Sequence, residues 1–132
     1  MKYLLDTNIC ILYLNTRHTT VYARLQQIRR TDVCLCSIVK AELLYGALKS
    51  NRSADNLLKL RVFFSQFESL PFDDVVLEQY ANIRVQLEEK GTPIGPHDLM
   101  IAAIAKAWNL ILVTHNTAEF DRVKGLHIEN WR

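Results

Sequence analysis

Three short apolar runs, each followed by a stretch of helical character, predict an α/β chain built on a mainly parallel sheet with helices on both faces. Residues 2–5, 33–36 and 110–113 have strand length, and the first, after Lys2, and the last are continuous enough in apolar residues to suggest strands buried on both faces. No internal repeat, low-complexity tract or Pro/Gly/Ser linker divides the chain, so residues 1–132 read as one domain able to bury a single sizeable core.

The first run, in "KYLLDTN", ends on Asp6, which reads either as a turn or helix-capping residue or as a ligand delivered to a strand end. The second, "VCLC", is followed by Ser37 and the helical segment "SIVKAELLYGALKS". Leu57, Leu60, Phe64 and Phe67 recur at spacings of three and four, as do Val76, Tyr80, Ile83 and Leu87, which predicts two amphipathic helices. Between them "SLPFD" predicts a short edge strand, where Pro71 costs the ladder least. "LMIAAIAKAW" is apolar nearly all round, so it is expected as a central helix covered by protein and stopping at Asn109. The "LILV" strand leads into Thr114 and Asn116, and "LHIEN" predicts one more strand.

Composition narrows the class without naming a partner. Hydrophobic residues make up 49% and charged residues 23%, the balance of an ordinary globular protein, and a net charge of +2 neither announces nor opposes nucleic-acid binding. The start is unlike a signal peptide and no apolar stretch approaches the ~20 residues that span a bilayer, so a cytoplasmic protein with no membrane contact is expected. Cys10, Cys34 and Cys36 are odd in number and lack histidine partners, since the histidines at 18, 97, 115 and 127 are scattered; buried reduced thiols are expected.

In an open parallel sheet, ligands bind in the crevice outside the carboxyl ends of the strands. Asp6, Ser37, Thr114 and Asn116 all arrive at that edge. Asp98 follows "TPIGPH" and opens the apolar helix, where it reads as an N-cap or as a further polar group of the crevice. Glu42, flanked by Ala41, Leu43 and Leu44, is expected to be buried and to need a partner. Carboxylates gathered at one edge repel one another, a conflict that a divalent cation resolves. Oxygen-only ligands suit Mg²⁺ or Mn²⁺, and such ions imply phosphodiester hydrolysis, with Ser37 and Thr114 orienting ligands or waters from behind.

"LLDTNI", "SIVKAELLYG", "PIGPHDLMIAAIA" and "LVTHNTAEF" resemble the motifs of PIN-domain ribonucleases, and most closely the VapC toxins of bacterial toxin–antitoxin pairs. The resemblance runs from Met1 to the final "IENWR". It implies an α/β/α sandwich, Mg²⁺ or Mn²⁺ held by Asp6, Glu42 and Asp98, and endonuclease action on structured RNA, with the initiator tRNA anticodon loop favoured. It also implies homodimers, inhibition by a VapB-type antitoxin, and contact with DNA only through that antitoxin. Where many relatives carry an aspartate after the "VT" pair this chain has Asn116, and Glu119, three residues on, is the candidate to replace the missing acid.

Two other readings remain open on sequence: a metal-dependent DNA nuclease, and a hydrolysis-deficient PIN partner in a DNA-bound regulatory complex. Lys40, Lys49 and Arg52, which flank the Glu42 segment, are candidates to grip phosphate, and His97 is a loop residue that could touch RNA. Gly46 and Ala47, beside the helix of Leu57 and Leu60, suggest close helix packing or a groove for an antitoxin segment.

Overall fold

A computed structural model describes all residues, 1–132. The elements are β1 (Tyr3–Leu5), α1 (Thr7–Asn15), α2 (Thr20–Gln27), β2 (Val33–Cys36), α3 (Ser37–Lys49), α4 (Ser53–Phe64), β3 (Glu68–Leu70), α5 (Leu77–Glu89), α6 (Pro96–Ala107), β4 (Ile111–Val113), α7 (Thr117–Phe120) and β5 (Ile128–Glu129). The five strands form one sheet in the order β3-β2-β1-β4-β5. All four pairings are parallel, so the expected α/β/α sandwich forms with no antiparallel edge.

The strand order decides where a site can open. The chain walks outward from β1 through β2 to β3, then returns to the other side of β1 for β4 and β5. The crossovers on either side of β1 therefore diverge, and a crevice opens at the carboxyl ends of β1 and β4. Tyr3, Leu4 and Leu5 pair with Ile111, Leu112 and Val113, so both strands end level with each other. Asp6 N–H continues the ladder to the Val113 carbonyl at 3.0 Å, which brings residue 6 beside residue 114.

The continuously apolar runs are buried as expected: every residue of β1 and β2 is buried, and α6 buries Leu99 and each residue from Ile101 to Ala105. Asn109 ends α6 in the left-handed region at φ 53°, the stop that its side chain tolerates. The helical periodicities were off by one or two positions. Phe63, not Phe64, is the buried aromatic of α4, and Phe67 lies beyond the helix, packed edge-on against Phe63 at 5.1 Å. Val76 caps α5 from outside, and Leu110 N–H bonds back to the Ala105 carbonyl, so β4 begins one residue late. Pro71 follows β3, an edge strand, and removes no ladder bond. No helix is long and apolar enough to cross a membrane.

Candidate active site

Asp6 caps α1 from the end of β1 and is almost wholly buried. Its Oδ1 accepts the Thr7 N–H at 2.8 Å and its Oδ2 accepts the Thr114 hydroxyl at 2.7 Å, so both its capping and its ligand readings describe one fixed carboxylate. Burial pushes this carboxyl up from its ordinary value, against the lowering effect of the Thr114 and Thr7 bonds. Thr114 is fully buried after β4, and its Oγ1 also accepts the Asn116 N–H at 3.0 Å. One hydroxyl thus ties two strand ends together.

Asp98 is not the cap of α6. Gly95 stands at the cap and Pro96 takes the first helical position, where its missing N–H costs nothing, so Asp98 falls at the third position with no capping bond. Its carboxyl is pushed up to about 7, first by burial and then by the charges of Asp6, Glu119 and Glu42. Glu119 lies on the single turn of α7, on the same side as Asn116: Asn116 Nδ2 donates to Glu119 Oε2 at 2.8 Å and reaches Asp98 Oδ2 at 3.5 Å. Gly95 N–H donates to Glu119 Oε1 at 2.9 Å. The bonds from Asn116 and Gly95 hold the Glu119 carboxyl below its usual range, so the proton of this pair rests on Asp98.

The remaining expected residues are less deeply set. Glu42 is half-exposed, not buried, because Ala41, Leu44 and Tyr45 beside it on α3 face outward. Its Oε1 lies 3.8 Å from His97 Nδ1, and His97 belongs to the first turn of α6, not to a loop. Ser37 opens α3 at the same strand edge, exposed and without a hydrogen bond to the acids. Asp121 is exposed past the end of α7. Sequence reasoning missed the Gly95 N–H that holds Glu119, although the Gly-Pro pair before the helix is a cap signal. It also missed Thr7, whose buried hydroxyl finds no partner beside Asp6.

The donor chemistry fits a hard divalent cation: carboxylates and neutral oxygens gather at one strand edge, where burial and then the charges of Asp6, Glu119 and Glu42 raise Asp98. Thiolate chemistry is excluded, because all three cysteines are free and buried, with Cys34 pushed up to about 12 and Cys36 to about 11. Three or more acids do not stand within ligating distance of one point. Each is drawn aside by a partner of its own: Glu119 by Gly95 and Asn116, and Glu42 by His97.

The PIN domain profile matches residues 3–126. A "tRNA(fMet)-specific endonuclease VapC" of Shigella flexneri is 39% identical over 131 residues, covering 99% of this chain and 98% of its own length. The chain is a PIN-domain protein of the VapC family. A "Ribonuclease VapC2" of Rickettsia felis is 41% identical over 132 residues, with 99% and 98% covered. In structure the VapC-type fold matches a chain from VapBC2 of Rickettsia felis bound to a DNA fragment from their promoter, with a TM-score of 0.93, 40% identity and 100% of both chains covered.

Proposed function

We propose that this VapC-type chain is the toxin of a type II toxin–antitoxin pair, an endoribonuclease that cleaves structured RNA with Mg²⁺ or Mn²⁺. Initiator tRNA is the substrate class favoured by the relatives' names. The observation that carries the reading is the meeting of Asp6, Asp98 and Glu119, with Glu42 at its margin, at the crevice between β1 and β4.

Asp6, Asp98 and Glu42 would hold the ion, with Glu119 or Asn116 as the further oxygen donor. When bound, the cation offsets the crowded negative charge and supplies Lewis-acid activation of water and phosphate. The chain's own contribution is positioning. Thr114 and Thr7 fix both oxygens of Asp6, so one anchor needs no rearrangement. Glu119, held ionised by the Gly95 and Asn116 hydrogen bonds, is kept as a charged oxygen donor beside Asp98.

The antitoxin expectation has a surface. A groove of about 270 Å³ runs between α1, α3 and α4, lined by Ile11, Leu14, Glu42, Gly46 and Leu60 among others. Nothing lies within 4 Å of where a Gly46 side chain would begin, so the small residue leaves room for a partner segment and does not serve close helix packing. Homodimerisation is part of the proposal; Leu77 and Val85, 47% and 53% exposed on α5, are apolar surface available for it.

Purified chain should cleave tRNA in Mg²⁺ or Mn²⁺ and leave DNA of equal length intact. The Asp98→Asn variant should be inactive while keeping its fold. Comparable rates on DNA, or a fully active Asp98→Asn protein, would overturn the reading.

A further inference from the structure

Beside the acidic centre lies a second cleft of opposite character. A cavity of about 410 Å³ is lined by His18, Thr19, Thr20, His115 and Arg132, with apolar walls and no Asp or Glu. His115 follows Thr114 directly at the end of β4, Arg132 follows β5, and Thr19 caps α2. His115 and Arg132 leave the carboxyl edge of the sheet, the edge that holds Asp6, and His18, Thr19 and Thr20 share their cavity. Asp6 feels the charges of both Glu119 and His115.

The chemistry of the lining is that of an anion site. The first turn of α2 presents unpaired backbone N–H groups and the positive helix end. The Thr19 hydroxyl is spent on the Tyr22 N–H at 3.1 Å, whereas Thr20 is exposed. His115 has Nε2 shut off from solvent without a hydrogen-bond partner. His115 and Arg132 both line the cleft, and Arg132 brings a permanent cation to it.

We propose that His115, Arg132 and the N-terminus of α2 form a phosphate subsite that holds a backbone phosphodiester of the RNA strand next to the one cut at the acidic centre. The subsite rests on the ribonuclease reading and deepens it. The acidic centre alone repels a polyanion, so an adjoining cationic cleft at the same edge supplies the grip that fixes the strand's path across Asp6. His18, exposed at the mouth of the cleft, is positioned to approach the same phosphate or the next.

The test is binding of a labelled single-stranded RNA oligonucleotide in EDTA, where cleavage is suppressed, followed over a range of salt. His115→Ala and Arg132→Ala should each weaken binding about fivefold or more. Arg132→Ala should also lower the salt slope by about 0.7, the share of one released phosphate contact. Arg61→Ala, a charge-matched change on the exposed surface of α4, should do neither. In cleavage assays with Mg²⁺ the two cleft variants should raise KM more than they lower kcat. Arg132 lies at the exposed chain end, so its variant keeps the test meaningful if His115→Ala does not fold. Variants that bind RNA as wild type does, with an unchanged salt slope, overturn the subsite while leaving the nuclease reading intact. A wild-type chain that cleaves DNA in preference to RNA overturns both.

Discussion

Asp98 keeps its proton to about pH 7, against an ordinary value of 3.8, and this sets a direction for stability. A carboxyl whose folded value is raised binds its proton more tightly when folded. Its stabilising effect is complete below the unfolded value and is lost as pH climbs through the folded one. The metal-free chain should therefore lose melting temperature between about pH 4 and pH 7. Asp98→Asn should flatten that fall and match or exceed wild type at pH 7; a variant with the wild-type slope would put the proton elsewhere. Thr114→Val removes the only side-chain donor to Asp6 and the acceptor of the Asn116 N–H. It should cost about 1–3 kcal/mol in denaturant unfolding and about 10–100-fold in cleavage. Glu119→Gln should reduce activity most at limiting Mg²⁺ and be partly rescued by excess Mn²⁺, whereas Asp121→Asn, exposed past α7, should change little. Rates against metal concentration for both variants decide the assignment, and a damaging Asp121→Asn would reverse it.

The elements around the groove behave differently from the expectation drawn from their sequences. Lys40 and Lys49 flank Glu42, but their ammonium groups lie over the rings of Phe64 at 4.9 Å and Tyr45 at 5.7 Å, so both are engaged with α3 and α4 surface. Gly46 sits inside α3 with open space where a side chain would start. Gly46→Ala should stabilise the chain by about 0.5–1 kcal/mol, since glycine carries an entropic cost in a helix interior. Gly46→Leu should fill the groove and weaken neutralisation by the antitoxin while cleavage continues. Measuring cleavage with and without the neighbouring gene's product separates the two effects; a Gly46→Leu chain still fully neutralised would remove the groove from the antitoxin interface.

At the scale of the molecule, the last residues close the sheet. β5 is two residues long, yet Trp131 beyond it is fully buried, edge-on to Tyr3 of β1 at 5.3 Å and beneath the Arg24 guanidinium. Trp131→Ala should cost about 3–5 kcal/mol, a large share of the roughly 5–15 kcal/mol that holds a domain together. Thermal melting checks this; a loss under about 1 kcal/mol would mean that the tail is not part of the core.

The apolar runs, the all-round apolar α6 and the left-handed stop at Asn109 were legible because each is a local preference: continuous burial demands continuous apolarity, and a helix must stop where its backbone can turn. Three acids at strand or helix ends, Asp6, Asp98 and Glu119, were legible for the same reason. What remained hidden depends on neighbours distant in the chain. Whether Asp98 capped its own helix was decided by Gly95 and Pro96, and its raised proton affinity by burial and then by the charge of Asp6, 92 positions earlier in sequence. That Glu42 is half-exposed could not be read from Ala41 and Leu44, because a helix face is buried only as far as other elements cover it, and this one is covered only in part. The sequence by itself determined the residue types that can hold an ion and the strands that carry them. Only the tertiary structure decided that β4 returns beside β1, because parallel order is set by packing of the whole sheet, and that return places Thr114 against Asp6 and opens the crevice.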